Sequence, residues 1–398
     1  VQPDCDCVVV GAGLVGSFAA LALAAQGLRV SVIEQRAPID ANAVNDPRGL
    51  VLSAVSRRLF ERYHLWAPLE AASNPITTVR ISERGSFGSA ELCAAEIGLD
   101  ALGWACPADH LLRTLTFAML DHAGISVHWQ TRFVSAQAEA DQILITSESH
   151  ATKTNTSAKL LVAADGLDSA VRAHCGIAVD QFDYGQRALV ANLSVSRPQS
   201  ATAFEHFTRR GPLALIPLGG ARYVSVQCLD TACANAAQHD EPDVYAAMLT
   251  RRFGTRLGTF TDLGPRYSYA LTRQRAQTLY APRTVVIGNA ANAVHPNAAQ
   301  GLNLGLRDVA ALIDCCTGQT DPGKAAVLSA YSAARRADHV RVSTFTDVLA
   351  QAFRSPLAAV TGLRRMALTA AGYVAPLRRR VMLEASGLAT LAHDAPRR

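Results

Sequence analysis

Cys7-Val8-Val9-Val10-Gly11-Ala12-Gly13-Leu14-Val15-Gly16 is the stretch that decides the fold of this 398-residue chain. A short apolar run, Cys7 to Val10, ends in three glycines spaced G-x-G-x-x-G. An apolar helical stretch follows from Leu14 to about Gln26, and Gly27 closes it where a left-handed cap suits glycine. Arg29 to Glu34 (R-V-S-V-I-E) then reads as a second strand. In such a strand-turn-helix-strand unit the first glycine permits the tight turn, the second lets backbone approach a pyrophosphate, and the third lets helix and strand pack closely. The helix start offers free N–H groups and a positive dipole to phosphate. Glu34 ends the second strand, where a carboxylate can accept bonds from ribose hydroxyls. A lone glycine pattern says little. Strand, turn, helix, strand and terminal acid in this order predict an α/β dinucleotide-binding domain, with Gly11, Gly13, Leu14, Val15, Gly16, Glu34 and Gln35 as cofactor contacts.

Two further segments follow apolar strands. Ala164-Asp165-Gly166-Leu167-Asp168-Ser169-Ala170-Val171-Arg172 comes after Leu160 to Ala163, and on its own it reads as a polar turn with Asp168 or Ser169 capping a helix. Gly288-Asn289-Ala290-Ala291-Asn292-Ala293-Val294-His295-Pro296-Asn297-Ala298-Ala299-Gln300-Gly301-Leu302-Asn303-Leu304-Gly305-Leu306-Arg307-Asp308 comes after Thr284 to Ile287 and enters a helix expected over Leu302 to Ile313. Its small residues let backbone lie against a flat ligand, and the N–H groups of Gln300, Gly301 and Leu302 at a helix start can stabilise negative charge on a reduced ring. His295 taken alone fits a hydrogen-bonded structural histidine better than a catalyst.

Between these segments, Leu50 to Tyr63 is expected to be helical, Thr77 to Ser82 a strand, and Leu111 to Ala123 a helix ended by Gly124. From Arg187 to about Tyr269 the pattern alternates, as in Ala188 to Val195 and Ala221 to Cys228. It predicts an antiparallel sheet with turns at Pro212 and Pro217. From Tyr331 onward the chain reads as helical. The expected organisation is a discontinuous Rossmann-like domain (1–75, 105–180 and 275–335), an inserted antiparallel-sheet substrate domain (76–104 and 181–274) and a helical C-terminal segment (336–398).

With 49% hydrophobic and 18% charged residues, the chain can bury a large core, which excludes disorder. Its nine cysteines (Cys5, Cys7, Cys93, Cys106, Cys175, Cys228, Cys233, Cys315, Cys316) form no zinc-type spacing and are expected to be reduced packing thiols, with no metal site. Asp4 and Asp6 stand where a signal peptide would be basic, and no apolar run is long enough for a transmembrane helix. The net charge of +5 is unevenly placed. Residues 341–398 hold nine arginines against Asp347, Glu384 and Asp394, hence +6, which leaves −1 for the rest. Leu357, Val360, Leu363, Met366 and Leu368, beside Arg364 and Arg365, form an apolar stripe that suits either a membrane surface or packing on the main body.

The three glycine-bearing segments, in this order and spacing, resemble the single-component FAD aromatic hydroxylases with the fold of p-hydroxybenzoate hydroxylase. The nearer resemblance is to their ubiquinone-biosynthesis branch, of the UbiH (2-polyprenyl-6-methoxyphenol hydroxylase) type. It rests on Asp46-Pro47-Arg48-Gly49-Leu50-Val51-Leu52-Ser53, on Ile76 to Gly85, on Phe204-Glu205-His206-Phe207-Thr208 with Gly211 to Pro217, and on the third glycine segment. It spans roughly residues 5 to 340. The resemblance implies that Gly11, Gly13, Gly16 and Glu34 bind the ADP half of FAD and that Arg48 contacts the flavin side. Arg113 would lie near the phosphates or ribityl chain. Asp165 and Gly166 would form a second fingerprint linked to FAD and NAD(P)H, and Pro296 with Gln300 to Asn303 would border the flavin ring. His295 and Pro296 become the candidate catalytic pair. Most of the wider family has Gly-Asp where this chain has Gly288-Asn289. Asparagine keeps an acceptor for the ribityl hydroxyls and loses the charge, so the bond should be weaker.

The implied activity is monooxygenation of a polyprenylated phenol through a flavin hydroperoxide, with FAD, NADPH (or NADH) and molecular oxygen. The phenol's base is not assignable from sequence. Implied partners are enzymes of a ubiquinone-biosynthesis complex and a membrane surface met by the basic tail, but not nucleic acid. The expected location is cytoplasmic and peripheral at the inner membrane face. A prenyl-lipid reductase or a non-catalytic flavoprotein subunit is the competing reading. The one C-x-x-x-x-C spacing, Cys228 and Cys233, falls in the antiparallel-sheet segment rather than beside the dinucleotide motif as in a disulfide reductase, and Trp66, Trp104 and Trp129 do not form a flavin halogenase motif.

Overall fold

In the computed structural model, which describes residues 3–38, 46, 48–86, 88–208, 210–355 and 358–388, the opening segment folds as β1 (Cys5–Val10), α1 (Leu14–Ala24) and β2 (Val30–Ile33). Strand β1 is central. It pairs in parallel with β2 on one side and with Thr152–Ala163 on the other. Thr284–Val286 and Ile125–His128 extend the parallel sheet outward. Val8, Val9, Leu160, Leu161 and Val162 are fully buried, as expected for parallel strands covered on both faces. Gly16 through Ala24 of α1 are all buried, because the helix lies between this sheet and later helices.

A second, mainly antiparallel sheet is built on the 17-residue strand Val179–Val195, which pairs with Arg222–Asp230 and Arg266–Ala276. Gly211–Gly219, Thr202–Thr208, Thr78–Glu83 and Ser89–Cys93 continue it to its edge. Along each strand, side chains alternate between two faces. One face packs Leu189, Leu213, Leu215 and Tyr223 under Tyr245 and Leu249 of the helix Pro242–Phe253. The other sets Val190, Ala203, Ile216 and Val224 against Ile76 and Ala105 of a small sheet. That small sheet joins β3 (Gly49–Ser53), Gly103–Pro107 and Asn74–Ile76.

The helix expected over Leu50 to Tyr63 is half strand. Residues 49–53 form β3, paired antiparallel with Gly103–Pro107, and only then does α2 (Ala54–Arg62) begin. Ser53 marks the boundary. Its hydroxyl accepts from the Ser56 N–H as an N-cap, and the apolar residues before it continue a pleat. Pro212 and Pro217 lie within the strand Gly211–Gly219 rather than at turns. Pro212 sits near the strand start, and Pro217 borders a register shift, where a missing N–H costs no ladder bond.

The chain ends in helices Ala325–Arg354, Ala358–Tyr373 and Ala375–Ala385. Several tail arginines pair with the main body. Arg364 holds Glu83 and Arg378 holds Glu96, whereas Arg341 pairs within the C-terminal segment, with Asp338 and Glu384. Of the apolar stripe, Leu368 is buried, while Leu363 and Met366 stay 70% and 71% exposed. Leu357 falls outside the described residues.

Candidate functional site

The glycine turn is built by contacts that forbid side chains. Gly11 has φ +103°, and a Cβ there would come 2.5 Å from the Ala164 carbonyl oxygen. A Cβ on Gly16 would come 1.9 Å from the Gly11 oxygen. Gly13 is the opposite case: it is exposed, with open space where its Cβ would be. No side chain caps α1 there, so the N–H groups of its first turn face that space unpaired by a cap. Glu34 closes the turn from below. Its two oxygens accept from the N–H groups of Ala12 at 2.7 Å and Arg36 at 2.9 Å. Beyond it, Gln35 and Arg36 line an open cavity of about 510 Å³ with Gln130, Arg132, Glu148 and His150.

The third glycine segment lies against the first. Gly288, at φ +58°, and Gly305 both contact Val15, and a Cβ on Gly305 would lie 2.7 Å from Val15 Cγ2. The Gly288 N–H donates to Asp308 Oδ2 at 3.1 Å. Asp308 is fully buried, and its other oxygen accepts from Arg335 at 2.8 Å and pairs with His339 at 2.6 Å. Arg335, Arg307 and Arg341 then meet Asp338 at 2.7–2.8 Å. Burial alone would raise both carboxyls. The facing His339 and Arg335 hold Asp308 below its usual range, and Arg307 and Arg335 do the same for Asp338. A buried ionic network thus fixes the turn that carries Asn289, whose side chain is exposed and makes no bond to any described residue.

His295 is 1% exposed. Its ring stands edge-on to Tyr184 with centroids 4.9 Å apart, and its Nδ1 accepts from the Asn297 N–H at 3.4 Å. Tyr184 in turn donates to Asp347. This bonding ties His295 into the scaffold between the two sheets, whereas neighbouring Pro296 is only half-buried. Ala299 holds an αL conformation at φ +51° and leads into the 17-residue helix Gln300–Cys316, which no side chain caps. Gln300 is buried, and Gly301 and Leu302 are half-buried at that helix start. Asn303 makes four bonds to protein: Oδ1 accepts from the Ser53 N–H and the Ser56 hydroxyl, and Nδ2 donates to the Val51 and Ala299 carbonyls, all at 2.7–2.8 Å.

The second segment is a brace. The Asp165 carboxylate accepts from the Ser169 hydroxyl and from the Val171 N–H at 3.1 Å, and Gly166 takes φ +86°. Arg172 donates to the Leu167 and Ala290 carbonyls, which links the second segment to the third. Arg48 is clamped by Asp46, and its guanidinium carbon lies 5.4 Å from the centre of the Tyr269 ring on the second sheet. Arg113 pairs with Asp109 one turn away on the helix Ala108–Leu120.

The three glycine segments therefore meet in one crevice at the carboxyl ends of the parallel strands, with β3 and the second sheet opposite. The N–H groups at the start of α1, which no described side chain caps, and the exposed amide of Asn289 suit a ligand with phosphates, hydroxyls and a flat ring. Sequence reasoning passed over Ser56, Arg335, Asp338 and His339, and it quoted Ser53, Arg172 and Asp308 within its motifs without giving them these bracing roles. One signal existed: Arg335, Asp338 and His339 recur at three- and four-residue spacing on one helix face and would point together.

Comparison with known proteins agrees with this geometry. A family profile described as FAD binding domain matches residues 4–346. A protein of Rhodospirillum rubrum named ubiquinone hydroxylase UbiL is 33% identical over 98% of this chain and 92% of that protein. The 3-demethoxyubiquinol 3-hydroxylase of Escherichia coli is 30% identical over 97% of this chain and 99% of its own. The solved structure of p-nitrophenol 4-monooxygenase PnpA from Pseudomonas putida superposes with a TM-score of 0.79 at 18% identity, over 96% of this chain and 98% of that one.

Proposed function

The chain belongs to the FAD-dependent monooxygenase family, and from that premise we propose that it hydroxylates the ring of a polyprenylated phenol in ubiquinone biosynthesis. Molecular oxygen is the co-substrate and NADPH or NADH the electron donor. One observation supports the reading: the helix start after Gly13, which no described side chain caps, lies beside the turn that carries the exposed amide of Asn289, because Val15 packs against Gly288 and Gly305.

These residues fit FAD. Gly11, Gly13, Leu14, Val15, Gly16, Glu34 and Gln35 would hold its ADP half. Arg48, Arg113, Asp165, Gly166, Gly288 and Asn289 would hold or brace its middle. Pro296, Gln300, Gly301, Leu302 and Asn303 would border the ring, with His295 setting the position of Pro296. When bound, FAD supplies the redox chemistry that lets oxygen attack an aromatic carbon. The protein's own part is to bind, orient and exclude water. The Gln300–Cys316 helix start presents N–H groups to negative charge on the ring system. The buried Asp308–Arg335–Asp338 network keeps that helix and the Gly288 turn from shifting.

A polyprenylated phenol partitions into a bilayer. Exposed Leu363, Met366, Tyr373, Val374 and Leu377, with Arg365, Arg379 and Arg380 near them in sequence, offer a surface for anionic headgroups or for partner enzymes. Among the described residues no helix is long and apolar enough to cross a membrane, so contact would be peripheral.

The test is anaerobic. FAD-loaded protein mixed with NADPH should lose its yellow colour, and a short-chain prenylated phenol should accelerate the bleaching. A protein that stays yellow with NADPH and with NADH, phenol present, overturns direct reduction by a pyridine nucleotide.

A further inference from the structure

On the face that packs against Ile76 and Ala105 of the small sheet, the second sheet carries a floor of small and apolar side chains. One row across the strands reads Ile81, Glu205, Ala214, Val226, Val190 and Tyr267. The rows on either side contribute Ala203, Ile216 and Val224 on one flank and Phe207, Cys228 and Ala188 on the other. The face is fixed by contacts. Phe204 and His206, which flank Glu205 and point to the opposite face, touch Phe253 on the outer side. Ala203 meets Ile76 and Ala105, and Phe207 stacks on Phe353 of the helix Ala325–Arg354 at 3.4 Å. Glu205 lies between those two and shares their face. Cys228, on the same floor, belongs with Tyr184, the residue against which His295 packs.

Glu205 makes no hydrogen bond or ion pair with any described residue. It is deep enough for burial to push its carboxyl up to about 7, yet it keeps partial solvent access. The groups that face it are mostly neutral: Ile81, Ala214, Val226, Phe207, Phe353 and the Cys228 thiol. Glu83, one row along, is already held by Arg364 and Arg365. The Arg48–Asp46 pair lies at the far end of the floor beside Tyr269. A lone carboxyl in apolar surroundings is costly unless a partner arrives.

We propose that Glu205 is the acid–base residue that takes the phenolic proton of the substrate, whose hydroxyl completes its missing hydrogen bond. This rests on the phenol reading above. In the step, the phenol O–H bond breaks, an O–H bond forms on the Glu205 carboxylate, and the electron pair stays on the phenol oxygen and delocalises into the ring. After one oxygen atom has been added to the ring, the ring C–H proton leaves and Glu205 returns its proton to the phenol oxygen. A base that titrates near neutrality suits this exchange. The apolar floor around it takes the prenyl-bearing edge of the ring.

The test compares wild type, Glu205→Gln and Glu205→Asp, all FAD-loaded. The probes are 2-geranylphenol and its O-methyl ether, which cannot donate a proton. Without NADPH, binding is read from the flavin absorbance. Wild type should prefer the phenol about tenfold at pH 8, because a hydrogen bond to a charged group adds that much or more. The preference should fade as pH drops through 7. E205Q should lose both the preference and its pH dependence while still taking up FAD, and E205D should restore part of each. In turnover, the acid limb of kcat/KM near pH 7 should vanish in E205Q. An E205Q that keeps the phenol-over-ether preference or the acid limb overturns the assignment, even if hydroxylation proceeds. If wild type does not hydroxylate but the preference collapses in E205Q, the phenol contact stands and the monooxygenase reading fails.

Discussion

Asn303 uses both its carbonyl and its amide on the scaffold, joining β3 to the Gln300–Cys316 helix. Asn303→Ala would leave the Ser53 N–H and the Val51 and Ala299 carbonyls short of partners in a buried place. The expected cost is about 2–4 kcal/mol, a large share of a typical folding free energy. Thermal unfolding checks it, and an unchanged midpoint would contradict the bonding. At this scale the sequence spoke clearly about Gly11, Gly13 and Gly16, because each glycine answers a local steric demand. It spoke less clearly about Asn303, Asp165 and His295. Their partners include Ser53, Ser169 and Tyr184, and for Asn303 the chain separation is about 250 residues, so no local pattern reports it.

Among the elements, the helix pair Gln300–Cys316 and Ala325–Arg354 carries a dependence on acid. Asp308 and Asp338 have carboxyls depressed by the facing His339 and arginines, against the opposing effect of burial. Their contribution to stability is therefore complete above the ordinary carboxylate pKa of about 4, and it is lost as pH falls through that value toward the depressed ones. Asp338→Asn would leave Arg307, Arg335 and Arg341 facing one another without their carboxylate, at a cost of about 3–5 kcal/mol. It should also flatten the fall in urea midpoint between neutral pH and pH 3. A variant with the parent's slope would show that the acid sensitivity lies elsewhere. Elements were legible where period and punctuation agreed, as in β1, α1 and β2. The error at Leu50 to Tyr63 arose because five apolar-rich residues fit a helix as well as a pleat. Only pairing with Gly103–Pro107, fifty residues away, chose the pleat.

For the molecule as a whole, the alternating pattern from Arg187 to Tyr269 was enough to foresee a second, antiparallel sheet beside the parallel one. It could not foretell that Thr78–Glu83 would join in parallel beside Thr202–Thr208, a pairing that sets Ile81 beside Glu205. The excess of tail arginines was visible as composition. Its use was not, since Glu83 and Glu96 receive Arg364 and Arg378 from almost 300 residues away. On the proposed function, the ring-binding segment and the second sheet together would hold the prenylated phenol. The most direct test of that account is oxygen labelling. The FAD-loaded protein is given NADPH, 2-geranylphenol and isotopically heavy dioxygen in ordinary water, and the product is weighed by mass spectrometry. One heavy oxygen atom in a newly formed ring hydroxyl is the predicted result. A product without the label, or a substrate reduced rather than hydroxylated, would contradict it.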